Sequence, residues 1–458
     1  MAQKLLRLLQ TNFVLILICL LFLGTRLFRI SGIPSSVYWD EASIGYNAYS
    51  VLTTGKDEWG EFMPLHFRAF GEFKLPVYIY SVTASEFIFG LTPLAVRLPA
   101  VIFGLLSIIG LYLLVLKLTS NKLLSLISSF LFAISSWFFI FSRTGYEAVA
   151  GLSFFIWATY FGILSFKKKW FFIFSTLSFI LSYYSYNSFR VLTPFVLIPL
   201  LVFSFYKKKF AEVLISIIIL VVSIIPIYKL YTKDSGLSRL QTVGTKSSII
   251  SNYIKNFSPE FLFVKGDSNP RSQIPGNGEL YYLDAMFLLL GILYILKSKN
   301  YKFYAILGIL LIAPIPAAIT KENPHALRAI LMSPILSVIC AMGIYYFSSF
   351  FTKNKNILLT IIIVFYVLTF EGYIYKFGTE YNNLSRSAWQ YEYKQIFENQ
   401  KEGCVSDEFA QPYIFALFYH KVDPYYFRQT KILNKVSDWG FSTVKSFGNF
   451  DFPKICKN

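Results

Sequence analysis

The feature that most constrains this chain is a succession of apolar runs, each about 20 residues long and separated by short polar turns. Runs of that length are what a helix needs to cross the hydrocarbon layer, and a soluble domain cannot bury so many of them. They fall near residues 11–29, 98–116, 122–141, 148–166, 170–186, 190–206, 211–230, 281–296, 302–319, 329–349 and 356–375. Composition agrees, with 55% of residues hydrophobic, 19% aromatic and only 15% charged. The expected fold class is an all-α polytopic membrane protein of about eleven transmembrane helices. The net charge of +18 does not imply a nucleic-acid partner, because the lysines sit in short tracts between apolar runs, with no basic groove or module. Such tracts suit loops that face anionic membrane lipids.

One further run, Leu75 to Val96, decides the orientation of everything after it. It contains Pro76, Glu86, Pro93 and several hydroxyl side chains. Suppose it lies on the outer surface without crossing. The loops carrying Lys117/Lys122, Lys167–Lys169, Lys207–Lys209, Lys297/Lys299/Lys302 and Lys353/Lys355 then all fall inside, with Lys4 and Arg7. If it crosses, all five loops move outside and the positive-inside bias reverses. The expectation is therefore a multi-pass plasma-membrane protein with a cytoplasmic N-terminus. Residues 1–375 form the transmembrane module, including an outer loop 30–97 with a juxtamembrane helix over 75–96. Residues 376–458 form a small α/β or β-rich extracytoplasmic domain, in which Tyr413–Tyr419 and Tyr425–Phe427 read as short strands. No small-residue cleavage site follows the first run, so it reads as an uncleaved span. Cys19 and Cys340 read as packing residues, whereas Cys404 and Cys456 can pair if the tail is exported.

With this topology the polar side chains gather on the outer face. Asp40 and Glu41 follow Tyr38 and Trp39 just beyond the first span, and adjacent carboxylates at a membrane surface either pair with something or act on something. The plain alternative is a solvated first helical turn, which acids favour. Lys74 in Glu72-Phe73-Lys74-Leu75-Pro76 can hold a lipid phosphate or merely snorkel. Arg97 precedes Pro99 at an outer helix start. Arg143, Tyr146 and Glu147 share one outer turn, where Arg and Glu four apart can also be a simple surface ion pair. Asn187 and Arg190 share another turn, and His325 and Arg328 a third, with His66 also on that face. One interfacial cation is ordinary; four or five suggest an anionic substrate group, such as a phosphate esterified to a membrane lipid.

The order of these elements is an acid pair after the first span, a lysine-proline region, Arg-x-Pro, then an outer Arg with an acid. It resembles the GT-C superfamily of membrane glycosyltransferases, and within it the protein O-mannosyltransferases and lipid A aminoarabinose transferases. The resemblance covers roughly residues 30–200 and extends more weakly through Asn323-Pro324-His325-Ala326-Leu327-Arg328. It implies inverting transfer of a monosaccharide from a polyprenyl-phosphate donor to a hydroxyl of a protein, glycan or lipid acceptor. Asp40 would be the base, Glu41 would orient Asp40 or the acceptor, and Glu147 would be a second acid. Lys74, Arg97, Arg143, Arg190 and Arg328 would meet the donor phosphate. Tyr38, Trp39, His66, Tyr146, Asn187 and His325 would be substrate contacts. Leu75 stands between Lys74 and Pro76 where relatives often have proline at once, which bears on where the lysine sits. No recognised metal-ligand spacing links Asp40, Glu41, His66, Glu147 and His325, so no transition metal is expected, and a loosely held divalent cation stays open. A transporter or flippase is the alternative from another class, but the span interiors are nearly free of charge. A polytopic glycan polymerase or ligase would place Arg and His in a large late outer loop. Here the loop 231–280 has Arg239 and Arg271 but no histidine.

Overall fold

The computed structural model describes residues 2–232, 244, 248–351, 353–435 and 442–456, with side chains from Asn12 onward. Arg239 and the side chains of Lys4 and Arg7 lie outside the described residues. Each apolar run is helical. The first part of the chain gives α1 (Ala2–Leu27), α2 (Trp39–Thr54), a hairpin of β1 (Phe67–Arg68) and β2 (Phe73–Lys74), α3 (Pro76–Phe89), α4 (Pro93–Thr119), α5 (Lys122–Ala133) and α6 (Ser136–Phe139). Then come α7 (Glu147–Ser165), α8 (Phe171–Tyr183), α9 (Asn187–Tyr206) and α10 (Phe210–Tyr231). Later apolar helices are Tyr282–Ser298, Tyr301–Ile312, Met332–Ser349 and Lys355–Thr379.

Among the described residues, seven helices are long and apolar enough to cross a membrane, or eight if a bent pair counts as one span. The 13-residue α8 and the stretch Asn12–Leu27 are shorter apolar helices. Helix α3, with 14 residues, spans roughly 21 Å at 1.5 Å per residue, which is less than the hydrocarbon thickness. The apolar window of α10 is only 17% buried, whereas that of Met332–Ser349 is 78% buried, which puts α10 at the lipid-facing periphery and the latter at the centre. The central helix packs on Tyr282–Ser298 through Gly291 and Gly343. A Cβ at Gly343 would stand 1.9 Å from the Phe287 carbonyl oxygen, so only glycine permits this backbone approach.

The bent pair is α5 with Ser136–Arg143, turned by 61°. A break at that depth leaves carbonyls without helical partners, and each needs one from elsewhere in the protein. Arg26 Nη2 donates to the Ala133 carbonyl at 2.8 Å, and Tyr281 Oη donates to that of Ile134 at 2.6 Å.

The C-terminal segment begins where Lys355–Thr379 ends. It contains a four-stranded sheet of β3 (Gly403–Cys404), β4 (Ile432–Leu433), β5 (Val444–Phe447) and β6 (Phe450–Asp451), in the order β3-β6-β5-β4. Strand β3 runs parallel to β6, while β5 is antiparallel to both its neighbours. Cys404 and Cys456 are joined by a disulfide that closes one edge. The two runs read above as strands are helices, Pro412–Tyr419 and Pro424–Thr430. Proline at the first helical position presets φ, and an all-apolar run has no period that separates helix from strand.

This segment docks on the stretch between α1 and α4. Arg428 Nη1 donates to Ser50 Oγ and to the Asp57 carbonyl, both at 3.2 Å, and Arg68 Nη2 donates to the Ser442 carbonyl at 3.0 Å. The Glu58 carboxyl is fully buried at this junction, and burial, with Asp57 beside it, pushes its pKa up to about 8 against the opposing pull of Lys431. The folded state therefore binds a proton that the unfolded chain has released. This contribution to stability is complete below the ordinary value near 4.5 and is lost as pH rises towards about 8. The thermal midpoint should fall across that window by the equivalent of a few kcal/mol, on the order expected for a buried carboxyl. Glu58→Gln should flatten the pH dependence in a melting series.

Candidate active site

Helix α2 starts at Trp39, so Asp40 and Glu41 occupy its first turn, where carboxylates complement the helix dipole. Successive helical residues diverge by about 100°, which sends the two acids to different environments.

Glu41 turns inward and is fully buried. Arg97 meets it bidentately, with Nε–Oε1 at 3.0 Å and Nη2–Oε2 at 2.9 Å, and the Gly145 amide donates to Oε1 at 2.7 Å. A Cβ at Gly145 would stand 2.9 Å from Glu41 Cγ, so the close approach requires glycine. Arg97 also donates to the carbonyls of Ile30, Pro34 and Ser36. Arg143 has a parallel arrangement, donating to the carbonyls of Thr25, Phe28 and Ile33, with its guanidinium 4.4 Å from the Phe377 ring centroid. Both arginines are 0% exposed. The structure thus gives Glu41, Arg97 and Arg143 partners inside the protein and turns them away from an open phosphate site.

Asp40 instead turns to Lys74 and keeps its side chain 24% exposed. Lys74 Nζ lies 2.6 Å from Asp40 Oδ1, 3.3 Å from Glu72 Oε1 and 3.7 Å from Glu147 Oε1. A two-stranded hairpin, Phe67–Arg68 paired with Phe73–Lys74, delivers the lysine, and Glu147 opens α7. Burial works against the ammonium, but Asp40 and Glu147 outweigh it and hold the Lys74 pKa above the ordinary lysine range. One cation therefore gathers three carboxylates from separate parts of the chain. A narrow cleft beside it is lined by Glu72, Lys74, Glu147, Ser185, Tyr186 and Asn187. Among the described residues, no group of three or more His, Cys, Asp or Glu side chains is arranged to hold a metal ion.

Aromatic rings cluster around the residues that flank Asp40 in sequence and space. Tyr38 lies 5.6 Å from Tyr146 and 5.2 Å from Trp389, centroid to centroid, and Trp39 lies 5.9 Å from Phe70. The Arg271 guanidinium sits 4.9 Å from the Tyr38 ring and donates to the Ala388 carbonyl. Burial opposes its charge, yet Tyr146, Tyr38 and Asp40 facing it raise its pKa. Two further cationic groups flank this centre. Arg190 donates to Tyr231 Oη at 3.1 Å and stands 3.5 Å from His66 Nε2. Arg328 meets Thr320 Oγ1 at 2.8 Å and Glu322 at 3.3 Å, and His325 lies 3.5 Å from Asp267 and 3.6 Å from Glu322. Tyr186 lines the cleft beside Lys74 and Glu147 and also faces Arg328.

The structure therefore brings together Asp40, Lys74, Glu147, Tyr38, Tyr146 and Asn187. It adds Glu72, Arg271 and Tyr186, which the sequence alone did not assign. Glu72 was within reach, two residues from Lys74. Arg271 carried one usable signal, an arginine in a polar outer loop.

The family described as dolichyl-phosphate-mannose-protein mannosyltransferase matches residues 74–231. No curated protein matches the sequence. Among solved structures, the oligosaccharyltransferase of Archaeoglobus fulgidus with zinc and sulfate superposes at a TM-score of 0.52 and 14% identity, covering 89% of this chain and 61% of its own. The same archaeal enzyme with an inhibitory peptide and a dolichol-phosphate gives 0.50 and 13%, covering 90% and 64%. ArnT of Cupriavidus metallidurans in the apo state gives 0.51 and 10%, covering 89% and 76%. The chain thus spans less than two thirds of the archaeal enzyme's length.

Proposed function

The chain carries the GT-C fold, and on that premise we propose that it is a membrane glycosyltransferase moving a monosaccharide from a polyprenyl-phosphate carrier to an acceptor hydroxyl. The observation that carries this reading is the meeting of Asp40, Glu72 and Glu147 on the buried ammonium of Lys74, with Asp40 partly exposed while its neighbour Glu41 is fully buried on Arg97. Support also comes from the matched mannosyltransferase segment, which begins at Lys74, and from the archaeal neighbour's dolichol-phosphate.

In the proposed reaction the acceptor hydroxyl gives its proton to the Asp40 carboxylate as its oxygen bonds to the anomeric carbon. The bond from that carbon to the phosphate oxygen breaks, its electron pair stays on the phosphate, and configuration inverts. Negative charge grows on the leaving phosphate, so fixed cations around it favour the transition state over the ground state. Lys74, in contact with Asp40, and Arg271, whose charge Asp40 reinforces, take that role, with Arg190 and Arg328 steering the donor. Glu147 and Glu72 hold Lys74 in place. Tyr38, Tyr146, Trp39 and Asn187 frame the sugar. Arg97 and Arg143 act by building the loop that presents α2.

We place the site, the C-terminal segment and its disulfide on the exported side of the plasma membrane, with the N-terminus cytoplasmic. The cytoplasmic lysine tracts and the short α3 support that orientation, and disulfides persist in oxidising compartments. The test is to supply purified protein with polyprenyl-phosphate monosaccharides and a mixed panel of peptide, glycan and lipid hydroxyls. Acceptor-dependent release of polyprenyl phosphate is expected. A complete lack of release across the panel would count against the reading.

A further inference from the structure

The amides of a helix's first turn have no partner within the helix, and an acidic residue there is only as well placed as the helix start itself. In α2 the residue before the start, Tyr38, provides no side-chain cap. The Trp39 amide instead donates to Gln390 Oε1 at 3.0 Å, across 351 residues of sequence. Gln390 is buried and its amide nitrogen donates to the carbonyls of Phe409 and Ala410, which fixes which end faces Trp39. Its neighbour Trp389 is fully buried, tied by Nε1 to Tyr381 Oη at 2.9 Å, and packs edge-on against Tyr38. The carbonyl of Ala388 accepts from Arg271 Nη1 at 3.1 Å. Three consecutive residues of the C-terminal segment therefore hold Arg271, Tyr38 and the helix start one residue before Asp40.

We propose that Gln390 is a positioning residue for the transfer reaction, and that the turn Ser387–Gln390 makes the C-terminal segment part of the active site by setting where Asp40 and Arg271 stand. An amide is the group the position requires, because one end must accept from a backbone N–H while the other donates to two carbonyls. A glutamate of the same shape keeps the acceptor but turns an oxygen onto those carbonyls and adds a negative charge near Asp40. An alanine removes both contacts.

The kinetic arm rests on the glycosyl-transfer reading; the exchange arm does not. Purified Gln390→Glu and Gln390→Ala proteins in nanodiscs are compared with wild type by hydrogen exchange and by polyprenyl-phosphate release. Loss of the cap in Gln390→Ala should speed exchange over the first turn of α2 by about 5-fold, leaving the helix Met332–Ser349 unchanged. Displacement of Asp40 should lower kcat by roughly 10- to 100-fold with the donor KM unchanged. In Gln390→Glu the acidic limb of the kcat profile should also move to higher pH, because the added carboxylate disfavours a charged Asp40. Unchanged exchange at α2 overturns the proposal whatever the activity. So does accelerated exchange spread evenly over the protein, or a normal kcat and pH profile in both variants. If wild type transfers no sugar while α2 exchange responds as described, the transfer reading fails and the anchoring of α2 stands.

Discussion

Asp40→Asn should release polyprenyl phosphate about 10²- to 10⁴-fold more slowly than wild type, the range a positioned carboxylate base contributes. The substitution keeps the shape and a hydrogen-bond acceptor for Lys74 but removes the proton acceptor. Lys74 retains Glu72 and Glu147, at 3.3 and 3.7 Å, so the site should stay assembled. The loss should therefore appear in kcat, with binding of the donor little changed. Glu72→Gln is the companion measurement: it removes one of the three ion pairs on Lys74 without touching the proposed base, and should cost far less. Wild-type turnover in Asp40→Asn would remove that residue from the chemistry.

The second large effect concerns stability. Arg97→Met leaves the Glu41 carboxylate buried without its counter-ion and strips the carbonyls of Ile30, Pro34 and Ser36 of their donor. Removing one partner of a buried ion pair typically costs about 3–5 kcal/mol. Folded Arg97→Met protein should be scarce, and any that is recovered should unfold well below wild type in a detergent melt. Arg97→Lys should not restore it, because an ammonium cannot reproduce the planar fork that meets two carboxylate oxygens at once. Glu41→Gln is expected to be milder, since its amide oxygen can still accept from Gly145. These outcomes separate two roles for Arg97. A phosphate ligand would raise the donor KM and leave the melting point alone, whereas an internal anchor lowers the melting point first.

Much of the fold was legible because membrane helices announce themselves by length and hydropathy. Asp40, Lys74 and Glu147 were each legible as charged residues in short turns beside apolar runs, and the structure brings the three into contact. What a linear reading lacks is direction. Arg97 and Arg143 lie at the depth expected for phosphate ligands, yet both point into the protein onto backbone carbonyls, and nothing in residue type separates those two uses of a guanidinium. Arg271 reaches Tyr38 across more than two hundred residues, from a loop whose path depends on the tail packed over it. In the tail itself, Tyr413–Tyr419 is apolar on all sides because the helix is buried nearly all round, so no alternation survives to be read.

The way Arg97 and Arg143 grip the stretch from Thr25 to Ser36 bears on which substitutions the protein tolerates. Apart from the Glu41 pair, their hydrogen bonds there go to main-chain oxygens, which every amino acid supplies. A library randomised at exposed points of that stretch, such as Leu27 or Phe28, should retain function broadly, while the two distant guanidinium positions admit almost nothing else. The shape of this crossing-point is thus encoded less in its own letters than in two arginines more than sixty and one hundred residues downstream.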